Sequence, residues 1–242
     1  MGKGDFFKAK ESETGAILQP KGYFIIRLDG KAFHTFTKNL TKPFDTALSE
    51  AMISTTKALC SHVQNIKLAY TQSDEISLVL SDLDHEKVAL WFEGNVQKIV
   101  SVAASVATAA FNRGFKHPEG SLAYFDARVF RLESLEEVSE YLNWRRKDAY
   151  KNAVTLIALK HYKHKEIEKC HTDKKIEMIK SKKDAVENYH QGLLLGFLIQ
   201  KEQRKIPFVN QKTQKTELVA RSVWKEIAFT EATLSWNKET KP

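Results

Sequence analysis

Two acidic motifs in this chain have the chemistry to hold divalent cations. Asp29-Gly30 follows the apolar run Tyr23-Phe-Ile-Ile-Arg-Leu28, and Asp74-Glu75 lies between the runs Ile66–Tyr70 and Ile76–Leu80. Magnesium takes one or two carboxylates and completes its shell with water and substrate phosphate oxygens. Two such ions, about 3.5–4 Å apart, clamp the attacking and leaving oxygens of an in-line displacement. Gly30, with no side chain, lets its carbonyl and its neighbours come close to metal or phosphate. Asp-Gly after a strand and Ser-Asp in a hairpin are also ordinary turn chemistry. What carries weight is the two motifs together, at strand ends that a common sheet would make adjacent.

The elements that must position them follow from apolar spacing. Residues 23–28 read as a buried strand ending in a turn. Phe44, Leu48, Met52, Thr55 and Leu59 recur at helical spacing behind Pro43. Residues 66–70 and 76–80 read as a hairpin with a polar tip at 71–75. Phe92, Val96, Ile99, Ala103, Val106 and Ala110 predict a long helix, 123–130 a strand, and 135–158 a further helix. The order matches a ferredoxin-like βαββαβ unit of the α+β class, an antiparallel sheet with helices on one face. In that unit the first strand lies beside the hairpin, so Asp29 and Asp74 converge.

Composition narrows the partners. The 242 residues carry a net charge of +8, which suits a polyanion. Lys160 to Lys183 alone holds nine lysines and three histidines against four acids, and Lys201 to Lys205 and Lys212 to Lys225 continue the basic trend. Cys60 and Cys170 form no CxxC pair, which predicts a reducing, cytoplasmic setting. The N-terminal residues have no apolar signal core, and position 6 is Phe where myristoylation wants Ser or Thr. The apolar stretch Val96–Phe111 is broken by Gln97, Lys98 and Ser101, so no membrane span is expected. His161, His164, Cys170 and His171 match no standard zinc spacing.

Several longer motifs resemble the tRNA-histidine guanylyltransferase superfamily. They are Arg27-Leu-Asp-Gly-Lys-Ala-Phe-His-Thr-Phe36, Lys42-Pro43 with Asp45, Ala69-Tyr-Thr-Gln-Ser-Asp-Glu75, Phe125-Asp-Ala-Arg128 and Trp144-Arg145. The resemblance runs from about Phe6 to Asn152. It implies a catalytic domain similar to a polymerase palm and 3′–5′ nucleotide addition to the 5′ end of tRNA, with two Mg²⁺ ions and ATP, GTP or other nucleoside triphosphates as substrates. It also implies a homo-oligomer, a tetramer in the family. By the same resemblance Asp29, Gly30 (through its carbonyl) and Asp74 hold the metals, with Glu75 supporting the catalytic centre. The loop Asp29, Gly30, Lys31, Ala32, Phe33, His34 cradles a triphosphate through backbone amides. Lys42 and Ser73 lie near the activating nucleotide's phosphates, Asp45 near the incoming base, and Asn152 matches a family asparagine.

The chain departs from the histidine-specific members at one place. They carry a His-Ile-Asn-Asn-Leu-Tyr-Asn run where this chain has Tyr150-Lys-Asn-Ala-Val-Thr-Leu156. The sequence therefore looks more like the bacterial and archaeal guanylyltransferase-like polymerases, which repair truncated tRNA 5′ ends by templated addition. A histidine-tRNA guanylyltransferase is the alternative. A nucleotidyl cyclase is more distant, since its Gly-Gly-Asp/Glu-Glu-Phe tip is absent; an inactive tRNA-binding module conflicts with the intact Asp29 and Asp74. The expected organisation is a palm-like catalytic domain over 1–135 and a mainly helical, basic RNA-binding extension over 136–242. Within the extension Arg145, Arg146, Lys174, Lys175, Lys182 and Lys183 are the candidate phosphate contacts.

Overall fold

The computed structural model describes residues 3–13, 15–83, 89–209 and 216–230. Helix α1 (Lys3–Ser12) precedes strand β1 (Tyr23–Gly30), the one-turn helix α2 (Phe33–Phe36) and α3 (Thr46–His62). The hairpin β2 (Ile66–Gln72) and β3 (Glu75–Ser81), then α4 (Val96–Gly114), β4 (Phe125–Leu132) and α5 (Leu135–Leu159) come next. Short helices α6 (His164–Ile167), α7 (Thr172–Ser181) and α8 (Gln191–Leu195) lead to two long strands, β5 (Phe197–Val209) and β6 (Thr216–Ala228).

The six strands form one antiparallel sheet in the order β4-β1-β3-β2-β5-β6. Its first four strands carry the expected ferredoxin-like arrangement. Successive strand side chains point to opposite faces, and β1 shows what this does. Phe24, Ile26 and Leu28 enter one core with Met52 and Leu59 of α3 and Ile99 and Phe111 of α4. Ala103 and Ala107, fully buried, let α4 lie close to that core. Ile25 enters a second core with Val79, Val138 and Leu142, under the start of α5. By the same period of two, Arg27 and Asp29 share Ile25's face. That face therefore changes from apolar to charged toward the C-terminal end of β1.

Side-chain caps set the helix starts. Asp45 accepts from the Leu48 amide at 2.9 Å to begin α3, and Asn95 accepts from Lys98 at 3.0 Å to begin α4. The α4 cap places Phe92, expected within that helix, before it; Phe92 and Glu93 have φ of 51° and 53°.

The expected helical extension holds from α5 to α8, with its own small core of Val154, Ile157, Ile167 and Ile179. Beyond it the chain returns to the sheet. Strand β5 pairs with β2 only from Leu68↔Gln200 to Thr71↔Phe197, while its pairing with β6 continues to Val209↔Thr216. The sheet thus runs across the expected boundary at residue 135. Lys201-Glu-Gln-Arg-Lys205 lies beyond the stretch of β5 that pairs with β2, and Lys201, Gln203, Arg204 and Lys205 are exposed. Lys212 lies outside the described residues.

Candidate active site

Asp29 ends β1 with Glu75 of β3 and Asp126 of β4 as its direct cross-strand neighbours. The two-residue turn Ser73-Asp74 folds over this point. Ser73 takes a left-handed φ of 49°, and the Gly30 amide donates to the Asp74 carbonyl at 3.1 Å. Asp29, Gly30 and Asp74 are therefore brought together, as their motifs predict. A Cβ on Gly30 would stand 2.2 Å from the Phe33 ring, so the close approach admits only glycine.

The loop after β1 is shaped by backbone bonds. The Lys31 amide donates to Tyr124 carbonyl at 2.8 Å, Ala32 has a φ of 55°, and Thr37 donates to Phe33 carbonyl at 2.8 Å. The Phe33 ring is buried with Phe36, Phe111 and Phe125, at centroid distances of 4.9, 5.7 and 5.4 Å. Phe33 is a core side chain that anchors the loop. Lys31 and His34 stand exposed.

Three arginines surround the carboxylates. Arg27 donates to Asp29 Oδ2 at 2.9 Å and places its Nε 3.5 Å from Glu75 Oε2. Arg128 reaches Asp126 at 3.1 Å and stands 4.0 Å from Asp29. Arg145, on α5, grips Glu75 with two donors, Nε to Oε1 at 2.7 Å and Nη2 to Oε2 at 2.6 Å, and also meets Asp148 at 3.0 Å. Asp74 has no such cation. Burial, followed by the charge of nearby Asp29, pushes its carboxyl up to about 6.

That difference fits a cation site. Glu75 is held by Arg27 and Arg145 and Asp29 by Arg27 and Arg128, whereas among the described residues no cation is paired with Asp74, whose charge a bound cation would stabilise. Among the described residues no three His, Cys, Asp or Glu side chains converge as a metal cluster. Magnesium does not need one, because phosphate oxygens complete its shell.

A cavity of about 710 Å³ opens beside Asp74. It runs between the loop at His34, the start of α3, the second half of α5, and α8. Lys42, Asp45, Ser73 and Asn152 all line it. Lys42 Nζ donates to the Thr37 carbonyl at 2.8 Å, and Asp45 carries the α3 cap while also accepting from Thr41 at 3.2 Å. Its deeper walls are apolar, with Leu48, Met52, Leu156 and Phe197. A cleft of this size, apolar with a few polar groups at one end, suits a small-molecule ligand.

The basic residues divide. Arg145, expected at RNA phosphates, has a side chain 7% exposed whose Nε and Nη2 donate to Glu75. Arg146 is half-buried over the Phe229 ring. Lys174 and Lys182 are exposed, the first paired with Glu177 and the second over Tyr162, while Lys175 reaches Thr155 at 3.0 Å. Lys183, exposed, follows α7 with a φ of 58°. His161 Nε2 stands 2.8 Å from Asp184 Oδ2. Sequence reasoning missed Arg27 and Arg128 as partners of Asp29. Their motifs held a signal, since an arginine two residues before or after an aspartate on a strand shares its face.

A β4-β1-β3-β2 sheet with carboxylates at the end of β1 and at the β2–β3 turn, beside a base-sized cavity, defines a palm-like nucleotide-handling domain. The chain belongs to the tRNAHis guanylyltransferase family, whose model matches residues 6–133. It is similar to the tRNA(His) guanylyltransferase of Schizosaccharomyces pombe, with 35% identity over 63% of this chain and 59% of that one. The chain spans about three fifths of the length of the curated relatives it matches best. The fold is also that of a bacterial tRNA(His) guanylyltransferase-like protein solved with ATP, with a TM-score of 0.82 and 34% identity over 94% of this chain and 92% of that one. A structure of such a bacterial protein with GTP matches at a TM-score of 0.72 and 33% identity, over 93% and 90% of the two chains. No helix among the described residues is long and apolar enough to cross a membrane.

Proposed function

We propose that this protein is a nucleotidyltransferase that adds nucleotides, in the 3′–5′ direction and against a template, to the 5′ end of truncated tRNA. The observation that carries the reading is the convergence of Asp29 and Gly30 with Asp74, which itself lines the cavity. Asp29, Asp74 and the Gly30 carbonyl would hold two Mg²⁺ ions, which supply charge neutralisation at the reacting phosphates. The ATP- and GTP-bound bacterial relatives support the cavity as the nucleotide site.

Two displacements share this centre. In the first, the 5′-monophosphate of the RNA attacks the α-phosphorus of ATP or GTP and releases pyrophosphate, leaving an activated 5′ end. In the second, the 3′-hydroxyl of an incoming nucleoside triphosphate attacks that 5′ phosphorus, and the nucleoside monophosphate leaves. A 5′-triphosphate end enters at the second step and loses pyrophosphate. Both are in-line phosphoryl transfers, for which positioning and electrostatics supply most of the catalysis. The loop amides from Asp29 to His34, with Lys42 and Ser73, bind the triphosphate, and Asp45 and Asn152 line the base end. Glu75, held by Arg27 and Arg145, fixes the strand beside the centre. Exposed lysines of α7 and its C-terminus track RNA phosphates. The protein works in the cytoplasm as a homo-oligomer, a setting that two free cysteines suit.

Template pairing chooses the base, because a wrong pair misplaces the attacking hydroxyl, and misplacement of about 1 Å costs about 100-fold. The loss of the histidine-type run between Tyr150 and Leu156 supports this reading. The name of the yeast relative favours the second reading, addition of one guanosine to histidine tRNA. Comparison of kcat/KM for several tRNAs lacking their first nucleotide with that for full-length histidine tRNA tests the two. The truncated tRNAs are expected to be extended with the complementary base and to be the better substrates. A strong preference for full-length histidine tRNA, lost on changing its anticodon, would restore the guanylyltransferase reading.

A further inference from the structure

Behind one wall of the cavity, far in sequence from the carboxylates, a second polar cluster surrounds Asp184. Its side chain is 12% exposed and accepts four hydrogen bonds. Oδ2 receives His161 Nε2 at 2.8 Å, the Tyr189 hydroxyl at 2.9 Å and Lys160 Nζ at 3.2 Å; Oδ1 receives the Ala185 amide at 2.9 Å. Lys160 Nζ also donates to the Tyr189 hydroxyl at 3.1 Å. The tyrosine oxygen is thus held as donor and as acceptor at once, which fixes the ring in one place.

That ring faces the cavity wall. Tyr189 meets Phe44 edge-on, with centroids 5.7 Å apart and planes at 72°. Phe44 lines the cavity and stands between Lys42 and Asp45, the two residues expected at the phosphate and base ends of a nucleotide. Such edge-to-face pairs hold a definite ring orientation beyond simple burial. A wall ring already fixed before binding need not be ordered when a base packs on it, and this lowers the cost of association.

We propose that Tyr189, locked by Asp184, is a positioning residue that sets Phe44 as the wall against which the purine base of the nucleotide rests. The inference builds on the nucleotide reading of the cavity given above. Asp184 and Tyr189 never touch the reacting phosphates. Their contribution is to nucleotide affinity and base preference, which appear in Kd and KM, while the chemical step keeps its rate.

The test uses the full chain with Mg²⁺-ATP and Mg²⁺-GTP as probes. Direct titration gives Kd without RNA, and nucleotide addition to a truncated tRNA gives kcat and KM. Tyr189→Ala is expected to raise Kd and KM about tenfold, with kcat within about twofold of wild type. Tyr189→Phe, which keeps the ring, and Asp184→Asn are each expected to raise Kd about threefold, and the double variant about as much as either alone, since both release one lock. Tyr162→Phe is the control. It removes a hydroxyl of the same subdomain, bonded to the Met178 carbonyl at 3.0 Å, and is expected to leave Kd unchanged even where Tm falls. Unchanged Kd in Tyr189→Ala, an equal Kd loss in Tyr162→Phe, or a fall in kcat at constant KM would each overturn the proposal. A wild-type protein that binds ATP and transfers nothing to RNA defeats the function reading alone, and the Kd values still decide this one.

Discussion

Arg145 spans from α5 to the sheet and clasps both oxygens of Glu75, at 2.7 and 2.6 Å, with side chains 7% and 4% exposed. Tyr141 and Ser77, 2.8 Å apart, also tie α5 to β3. A buried pair of this kind is costly to break singly, because the survivor keeps its charge without a partner. Arg145→Ala is therefore expected to lose about 3–5 kcal/mol of stability, seen in thermal unfolding as a Tm drop of about 10 °C. The paired replacement Glu75→Leu with Arg145→Met should recover most of that loss. A single variant as stable as wild type would show that the clasp contributes nothing.

The carboxylates at the turn are predicted to matter for chemistry and little for folding. Asp29→Asn and Asp74→Asn each remove one charge from the proposed cation site without changing shape. Each should lower kcat/KM for nucleotide addition by about 10³-fold or more, about 4 kcal/mol of barrier. Circular dichroism should show both variants folded, with the Tm of Asp74→Asn at or above that of wild type at neutral pH, where it removes a buried charge. Near-native addition by either variant would remove the two-metal assignment.

Asp74 also predicts a pH signature in metal-free protein. Its carboxyl titrates at about 6 in the fold against 3.8 in the unfolded chain, because burial disfavours the charged form. Between those values the folded state holds the proton and the unfolded state has released it. Stability from this group therefore falls as pH rises from about 4 to 6 and is constant above, a total of about 3 kcal/mol. Asp74→Asn should cancel that slope, so the difference in unfolding free energy between the two proteins should change across this window. Magnesium affinity should rise over the same window, since the ion binds the ionised carboxyl. Parallel curves for the two proteins would contradict the assignment.

RNA binding should be strongly salt-dependent. Each phosphate contact contributes about 0.7–0.9 to the slope of log K against log salt. Replacement of Lys174, Lys175, Lys182 and Lys183 together by Ala should flatten the slope measured by filter binding or anisotropy. An unchanged slope would place the RNA on another face.

Much of the palm was legible without coordinates, because each of its signals is local. Short apolar runs bounded by turn residues mark β1 and the hairpin, helical spacing marks α3 and α4, and Asp29 and Asp74 sit at strand ends where a turn must form. Convergence of the two motifs followed from strand order alone. The long motifs in turn pointed to the family that the residue 6–133 match shows.

The tertiary structure decided what depends on partners distant in sequence. Arg145 reads as one more basic surface residue until desolvation and Glu75, 70 residues away, are seen to fix it inside. Lys201 to Lys205 and Lys212 to Lys225 read as a charged extension, and pairing with β2 and with each other makes 197–209 and 216–228 strands. The knot of Lys160, His161, Asp184 and Tyr189 carried no pattern that spacing could reveal, and its contact with Phe44 exists only because α5 brings the helical subdomain against the start of α3. Periodicity and turn chemistry are written into short windows of sequence; burial of charge and the meeting of distant side chains belong to the folded whole.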